Sequence, residues 1–340
     1  MNTDYMFSGS EQDIAVTTRV RLARNLQGFP FPCRMTPAQK TEAFAKICGA
    51  VRISTPADRF SVINLEELGE IEAISLMETR KISPELLSLS GTRGILLSRG
   101  GNVSIMVNEE DCVRIQVMGY GECLDECLDT ALKIDSLMEC ALQFAFDDNL
   151  GYLTSCPTNL GTGLRAGVML HLPALTETGL IQSIAAAAGK LSVAVRGANG
   201  EGSAPRGSLY QLSNQNTLGT AESELSTMLQ GVAARIISEE RKTRQKLMIA
   251  NPDVYADRAW RSAGILKNAR LISYDEASEL ISGLRLGVSS GIIDDLTIGQ
   301  TNDALMKIPP ATVQLQCSGA TPAARDGKRA EILRKIFGKD

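Results

Sequence analysis

Aromatic side chains are scarce in this chain. Phenylalanine, tryptophan and tyrosine together make up 4% of 340 residues. Proteins that read single-stranded nucleic acid stack bases on aromatic platforms, and that surface is largely missing here. Histidine is rarer still: His171 is the only one. Eight cysteines are present, but none forms a Cys-x-x-Cys pair, so no Cys/His zinc site and no other metal site is expected. An excess of positive charge is also lacking. The formal net charge is -4, whereas a nucleic-acid partner calls for a basic surplus. No apolar run reaches the roughly 18 residues that a membrane span needs. The opening MNTDYMFSGSEQD has neither a basic n-region nor an apolar core, so no secretory signal is expected. A cytoplasmic location with reduced thiols follows as the expectation. The common nucleotide signatures are absent too: no G-x-x-x-x-G-K-[ST] loop, no G-x-G-x-x-G turn, no H-R-D and no D-F-G.

What remains has the composition of an ordinary globular protein, 44% hydrophobic and 22% charged. The length suits one large domain or two moderate ones. The densest stretch, 155–173, reads SCPTNLGTGLRAGVMLHLP. Cys156 precedes a proline, a Gly-x-Gly turn follows, and Arg165 opens an apolar run. Near the start, a strand-like segment runs into Arg19 and Arg21. A strand's side-chain period of two puts them on one side. Such a pair fits either a bidentate grip on an anion or a solvated basic edge. Val103, Ile105 and Val107 alternate with polar neighbours, and Val113, Ile115 and Val117 repeat the pattern against Arg114 and Gln116. This predicts two antiparallel strands joined by the acidic connection Asn108-Glu109-Glu110-Asp111. Those carboxylates fit solvent-facing turn chemistry or a general base beside an arginine. A further strand ends at Arg196, in a glycine-rich loop that carries Glu201.

Helical spacing marks several segments. Thr36-Pro37-Ala38-Gln39 is a capping-box start, followed by a stripe of Phe44, Ile47, Cys48 and Val51. Residues 122–146 and 222–247 read as helices, and Cys123, Cys127 and Cys140 are expected to pack within the first of these. Segment 71–89 carries no sharp signal. Past Asn251-Pro252 alternation vanishes and helical segments follow, 254–268, 274–287, 301–307 and 323–338. The expected domains are therefore 1–250 and 251–340.

Arginines stand at the ends of separate strand-like segments: Arg19 and Arg21, Arg114, Arg165 and Arg196. Such a set can neutralise a polyphosphate without a Walker lysine, because phosphoryl transfer is mostly positioning and charge stabilisation. The blocks TTRVRLARNL (17–26), VNEEDCVRIQ (107–116), CPTNLGTGLRA (156–166) and VRGANGEG (195–202) resemble, in order, the signature blocks of the ATP:guanidino phosphotransferases. LYQLSNQNTLG (209–219) and the tail RAWRSAGILKNARLISYDEA (258–277) are similar to the bacterial protein arginine kinases of the McsB type.

That resemblance implies an α+β fold, an antiparallel sheet flanked by helices, plus a C-terminal all-α domain. It implies transfer of the ATP γ-phosphoryl group, with Mg2+, to arginine side chains of proteins. Arg19, Arg21, Arg114, Arg165 and Arg196 would hold the ATP phosphates. Glu110 and Glu201 would orient the acceptor guanidinium and take its proton, with Cys156 against it. Arg325, Asp326 and Arg329 match the R-D-x-x-R-A phosphoarginine-docking motif; read alone, they are an ordinary charged helix face. The implied partners are protein substrates, an activator protein, a Clp-type ATPase or protease, and a second copy in a homodimer, in a stress-response role. The Thr-Arg-Val-Arg block starts at residue 18, which leaves no room for the N-terminal helical domain of the small-molecule kinases and implies an acceptor site open to proteins. A kinase for a free guanidino substrate such as arginine, and a non-catalytic phosphoarginine-binding regulator, are the alternatives. One position departs from the family pattern: Cys112 stands where Asn-Glu-Glu-Asp-His has histidine, and activity is still expected because the carboxylates remain. His171 is read as structural.

Overall fold

The computed structural model describes residues 8–54, 59–197, 206–317, 319 and 321–338. Strand β1 (Ala15–Arg24) leads to helix α1 (Pro37–Ser54), then β2 (Phe60–Asn64), α2 (Glu70–Glu78), α3 (Pro84–Ser88), β3 (Gly94–Ser98), β4 (Val103–Val107), β5 (Val113–Tyr120) and α4 (Leu124–Glu139). Two short strands follow, β6 (Phe146–Asp147) and β7 (Gly151–Tyr152), then β8 (Leu164–His171), α5 (Pro173–Glu177), α6 (Ile181–Gly189), β9 (Val193–Gly197) and β10 (Leu209–Asn214). The remainder is helical: α7 (Glu222–Ala250), α8 (Pro252–Asn268), α9 (Tyr274–Ser289), α10 (Ile298–Lys307), α11 (Pro310–Gln314) and α12 (Pro322–Phe337). The large sheet has the order β2-β3-β4-β5-β1-β8-β10-β9, and the ladders β2/β3, β3/β4, β4/β5 and β1/β5 are antiparallel. The fold is α+β, as the sequence predicts.

The chain forms two compact units. One comprises Met1–Gly9, Thr17–Val168 and Ser213–Gly231; the other comprises Ser10–Val16, Met169–Leu212 and Val232–Asp340. In the first, α1 starts as read from sequence: the Gln39 N–H donates to Thr36 Oγ1 at 3.3 Å, and the Thr36 N–H to Gln39 Oε1 at 2.9 Å. Helix α4 buries Leu124, Cys127, Leu128, Ala131, Ile134 and Met138. It stops at Glu139, well short of residue 146. Cys140 is exposed, which corrects its reading as a packing residue; it falls out of phase with the apolar stripe and caps the helix end.

Strand β4 is buried on both faces. One face is apolar. The other carries a polar network: Gln116 lies opposite Ser104 in the ladder, and its amide donates to Ser104 Oγ at 3.2 Å and to the Arg80 carbonyl at 2.7 Å. The α2–α3 segment thus covers the polar face. It is held by Leu76, Ile82 and Leu86, which pack with Leu65, Ile95 and Met106.

In the second unit, α8, α9, α10 and α12 bury Ala263, Leu266, Ile281, Leu284, Leu333 and Phe337 in one cluster. Each large aliphatic or aromatic side chain so buried contributes roughly 1.5–3 kcal/mol. Capping sets the helix starts: Ser273 accepts from the Glu276 N–H, and Thr297 and Gln300 form a capping box that starts α10 three residues before the sequence-predicted 301. Among the described residues no helix is long and apolar enough to cross a membrane.

Candidate active site

Strand register gathers the cations of the first unit. Across the β1/β5 ladder Arg21 lies opposite Gln116 and Ala23 opposite Arg114. Directly opposed residues of an antiparallel pair share a face, so Arg19, Arg21 and Arg114 project from the same side of the sheet. Arg165 opens β8. A pocket of about 240 Å³ is lined by Arg21, Arg114 and Arg165 together with Glu85, Glu110, Cys156 and Asn159.

So many guanidiniums in one place disturb each other. Burial, then the charges of Arg80 and Arg114, lower the Arg19 pKa to about 10. Arg21 is pushed well below the ordinary arginine value, by burial first and then by Arg19, Arg114 and Arg165. Its buried Nε has no hydrogen-bond partner. A buried donor without an acceptor is costly, and a cluster of like charges is held together at an electrostatic cost. Phosphate oxygens entering the pocket would relieve both.

The acidic turn is fixed by bonds that sequence spacing does not reveal. Asn108 adopts φ +57°, and its side chain donates to the carbonyls of Lys40 and Thr92, each at 2.8 Å. Asp111 Oδ1 accepts from Asn25 Nδ2 and from the Ser155 N–H, each at 2.7 Å. Arg114 forks onto both glutamates: Nη1 to Glu109 Oε1 at 2.7 Å and Nη2 to Glu110 Oε2 at 2.8 Å. Their surroundings differ. The Glu109 side chain is fully buried and Glu110's is 39% exposed. Burial raises the Glu109 pKa against the pull of Arg114 and of the Ser83 hydroxyl. Glu110 is therefore the member of the pair that a substrate can reach.

Cys156 is brought to Glu110 by its neighbour. The Ser155 hydroxyl donates to the Glu110 carbonyl at 2.7 Å, while its N–H holds Asp111. The Cys156 thiol is partly exposed and lies 3.0 Å from Thr158 Oγ1. The turn after it requires glycine. Gly163 has φ +65°, and a Cβ there would stand 2.5 Å from the Ala23 carbonyl oxygen. Gly161 has φ +104°, and a Cβ there would stand 2.6 Å from the Thr217 carbonyl oxygen. Beyond the turn, Asn214 of β10 positions Arg165: it accepts from the Ala166 N–H at 2.8 Å, and its own carbonyl accepts from Arg165 Nη1 at 2.7 Å.

Cys112, in the histidine position of the family pattern, is buried, and burial raises its thiol pKa to about 11. It is a neutral packing group under the turn. Arg196 stands exposed in β9 and does not line this pocket. Glu201 lies outside the described residues. In α12, Arg325 is partly exposed. Arg329 is 2% exposed and donates to the carbonyls of Ile308 and Ile272, each at 2.9 Å, and to Asp326 Oδ1 at 2.6 Å. His171 is buried in the second unit between Ser282 (2.8 Å) and Arg244. Among the described residues no group of three or more His, Cys, Asp or Glu side chains could hold a metal ion.

Two site residues escape sequence reasoning. Arg80 follows α2 in the left-handed region, φ +60°, and its charge is the largest of those acting on Arg19. Glu85 lines the pocket from α3. Both fall in 71–89, where no motif or strong periodicity draws the eye.

Sheet-borne arginines, a carboxylate fixed by Arg114 and a partly exposed thiol thus line one pocket. The profile described as ATP:guanido phosphotransferase, C-terminal catalytic domain, matches residues 42–243, and the chain belongs to that family. Residues 252–340 match the profile of the protein-arginine kinase McsB C-terminal domain. A protein-arginine kinase of Brevibacillus brevis is 42% identical over 330 residues, 96% of this chain and 92% of that one. One of Halothermothrix orenii is 41% identical over 327 residues, 96% and 93% respectively. Among solved structures, lombricine kinase superposes with TM-score 0.60 at 24% identity, over 71% of this chain and 68% of that chain. The substrate-free duplicated taurocyamine kinase of Schistosoma mansoni gives 0.60 at 27%, over 69% of this chain; the match spans about a third of that longer chain, 35%.

Proposed function

We infer that this chain is an ATP-dependent protein arginine kinase. The observation that carries the reading is the pocket itself: Arg21, Arg114 and Arg165 line one space together with Glu110 and Cys156. In this reading Arg19, Arg21, Arg114 and Arg165 hold the ATP phosphates and Arg80 adds its charge; Arg196 is assigned to the same phosphates on its sequence motif alone. Glu110, with Glu201, orients the guanidinium of the acceptor. A guanidinium is protonated at any physiological pH and is a poor nucleophile. A carboxylate within hydrogen-bond reach can take its proton as attack begins. A bond forms between the guanidino nitrogen and Pγ, the bond from Pγ to the β,γ-bridging oxygen breaks, and ADP leaves with that oxygen. Arg114 links the two halves of the site, because the side chain that would face phosphate also aims Glu110.

Mg2+ fits this site as a companion of the nucleotide. The arginine-rich wall offers no carboxylate cage, so nucleotide oxygens and water would hold the ion. It would neutralise phosphate charge. Residues 251–340 are assigned as a helical domain for self-association into a homodimer, and Arg325, Asp326 and Arg329 as its phosphoarginine-docking motif. An activator protein, a Clp-type protease that takes the marked substrates, a stress-response role and a cytoplasmic location complete the proposal.

Labelled ATP offered with either an unfolded arginine-containing polypeptide or free arginine tests it. Acid-labile label on the polypeptide, lost in Glu110→Gln, is expected; label on free arginine alone would overturn the reading.

A further inference from the structure

We propose that Glu85 binds the guanidinium of the acceptor arginine and is a specificity-determining carboxylate of the site. The inference rests on the protein arginine kinase reading and adds a residue to it.

The acceptor enters as a cation, and the pocket wall already carries Arg21, Arg114 and Arg165. Their positive charge serves the nucleotide and repels the acceptor. Carboxylates must offset that repulsion at the acceptor end. Glu109 cannot: it is sealed beneath the turn and committed to Arg114 and Ser83. Glu110 can do so only in part, since Arg114 occupies its Oε2. Glu85 lines the same pocket and is exposed. Among the described residues its carboxylate forms no ion pair and accepts no hydrogen bond.

An unpartnered surface glutamate ordinarily wanders through its rotamers. This one is mounted on a fixed base. Ser83, two residues before it, caps α3 by accepting from the Leu86 N–H at 3.0 Å, and its hydroxyl donates to Glu109 Oε1 at 2.5 Å. Leu86, one residue after it, is fully buried in the cluster under β3 and β4. Arg93 Nε adds a bond to the Leu86 carbonyl at 2.9 Å. The backbone of Glu85 is thus tied on both sides, and one of the ties is Glu109, next in sequence to Glu110. The turn that aims Glu110 also aims Glu85. Its negative charge already registers in the site, where it counters the lowering of the Arg19 pKa.

Two carboxylates approaching from different elements suit a planar cation with five donors. Glu85 adds its charge to the carboxylates already proposed for the acceptor and holds a donor that Glu110, shared with Arg114, leaves free. The planar guanidinium fork matches carboxylates bidentately while a lysine ammonium is a point charge, so the pair would favour arginine over lysine.

The test uses the full-length chain with ATP, Mg2+ and an unfolded arginine-containing polypeptide, and reads acid-labile phosphate. Glu85→Gln keeps the size and removes the charge. We expect the KM for the polypeptide to rise at least tenfold, a smaller fall in kcat, and no change in the KM for ATP. Glu85→Asp should recover part of the loss. A polypeptide KM equal to wild type would overturn the proposal. So would a KM for ATP that rises in step, which would make Glu85 a balance for Arg19 instead. If wild type itself places no phosphate on arginine, the kinase reading fails and this inference with it. If wild type is active and Glu85→Gln matches it, only this inference fails.

Discussion

The Ser155 hydroxyl donates to the Glu110 carbonyl at 2.7 Å, so the residue beside the candidate thiol is tied to the backbone of the candidate base. The same serine's N–H holds Asp111. One residue thereby sets the spacing between the acidic turn and Cys156. Replacing it with alanine removes one bond, a net change of about 1 kcal/mol. Ser155→Ala should lower kcat roughly fivefold while the ATP dissociation constant stays put. Steady-state kinetics with an unfolded polypeptide checks this. An unchanged kcat would mean that the thiol–carboxylate spacing does not matter.

Cys156 and Arg165 stand at opposite ends of the glycine turn and should separate cleanly. Cys156→Ser is expected to weaken turnover and spare nucleotide binding. Arg165→Ala is expected to impair nucleotide binding. Equal loss of ATP affinity in both, measured by calorimetry, would show that the turn does not divide acceptor from phosphate.

Arg21 makes a prediction about stability as well as binding. Its burial and its neighbours Arg19, Arg114 and Arg165 disfavour its charge, so without ligand it opposes the fold. Arg21→Met should leave the ligand-free protein as thermostable as wild type, or more so. ATP affinity should fall by about 10–100-fold, the worth of roughly 1.5–3 kcal/mol of charged hydrogen bonding. The rise in Tm that saturating ATP gives wild type should largely vanish. A variant that melts well below wild type without ATP would contradict this account of the cluster.

The sequence shows much of this because its signals are local. Alternation places β4 and β5, a capping box starts α1, and the family blocks mark Arg19, Arg21, Arg114 and Arg165. Glu85 and Arg80 were illegible for the opposite reason. Nothing around them is periodic or rich in glycine, and their meaning comes from the strands they cover in space. Asn214 is similar: it reads as a loop asparagine until β8 is seen beside it. Strand β7 ends at Tyr152, and three residues on the Ser155 N–H turns toward Asp111 instead of a neighbouring strand, a bond no local signal announces.

His171, the only histidine, gives a pH dependence that can be assigned. Burial first, then the charge of Arg244 with those of Arg285 and Arg258, holds its pKa well below the usual value. Above about pH 6.5 the ring is neutral in both the folded and unfolded chain. As pH falls below that, the unfolded chain takes up a proton that the native state refuses, so stability drops, by at most about 1.4 kcal/mol per pH unit. Glu109 and Asp135 act in the other direction: burial raises their pKa, so their contribution grows as pH falls. The comparison must therefore be with His171→Gln. The Tm advantage of wild type over that variant should shrink between pH 7.5 and 5.5; a constant difference would show that His171 does not titrate on unfolding.

Arg325 and Arg329 should respond differently to mutation although both belong to the proposed docking motif. Arg329 is buried and supplies donors to the carbonyls of Ile272 and Ile308. Alanine there leaves two buried carbonyls short of a donor, at on the order of 1–3 kcal/mol each. Arg329→Ala is expected to lower Tm, so a loss of phosphoarginine binding in that variant alone could come from partial unfolding. Arg325 is only partly buried, and removing a guanidinium so placed should cost little stability. If α12 docks phosphoarginine, Arg325→Ala weakens binding of a phosphoarginine peptide by about tenfold with Tm near wild type. Retained affinity in Arg325→Ala would leave Arg329 and Asp326 as helix-stabilising residues and remove the docking role from this face.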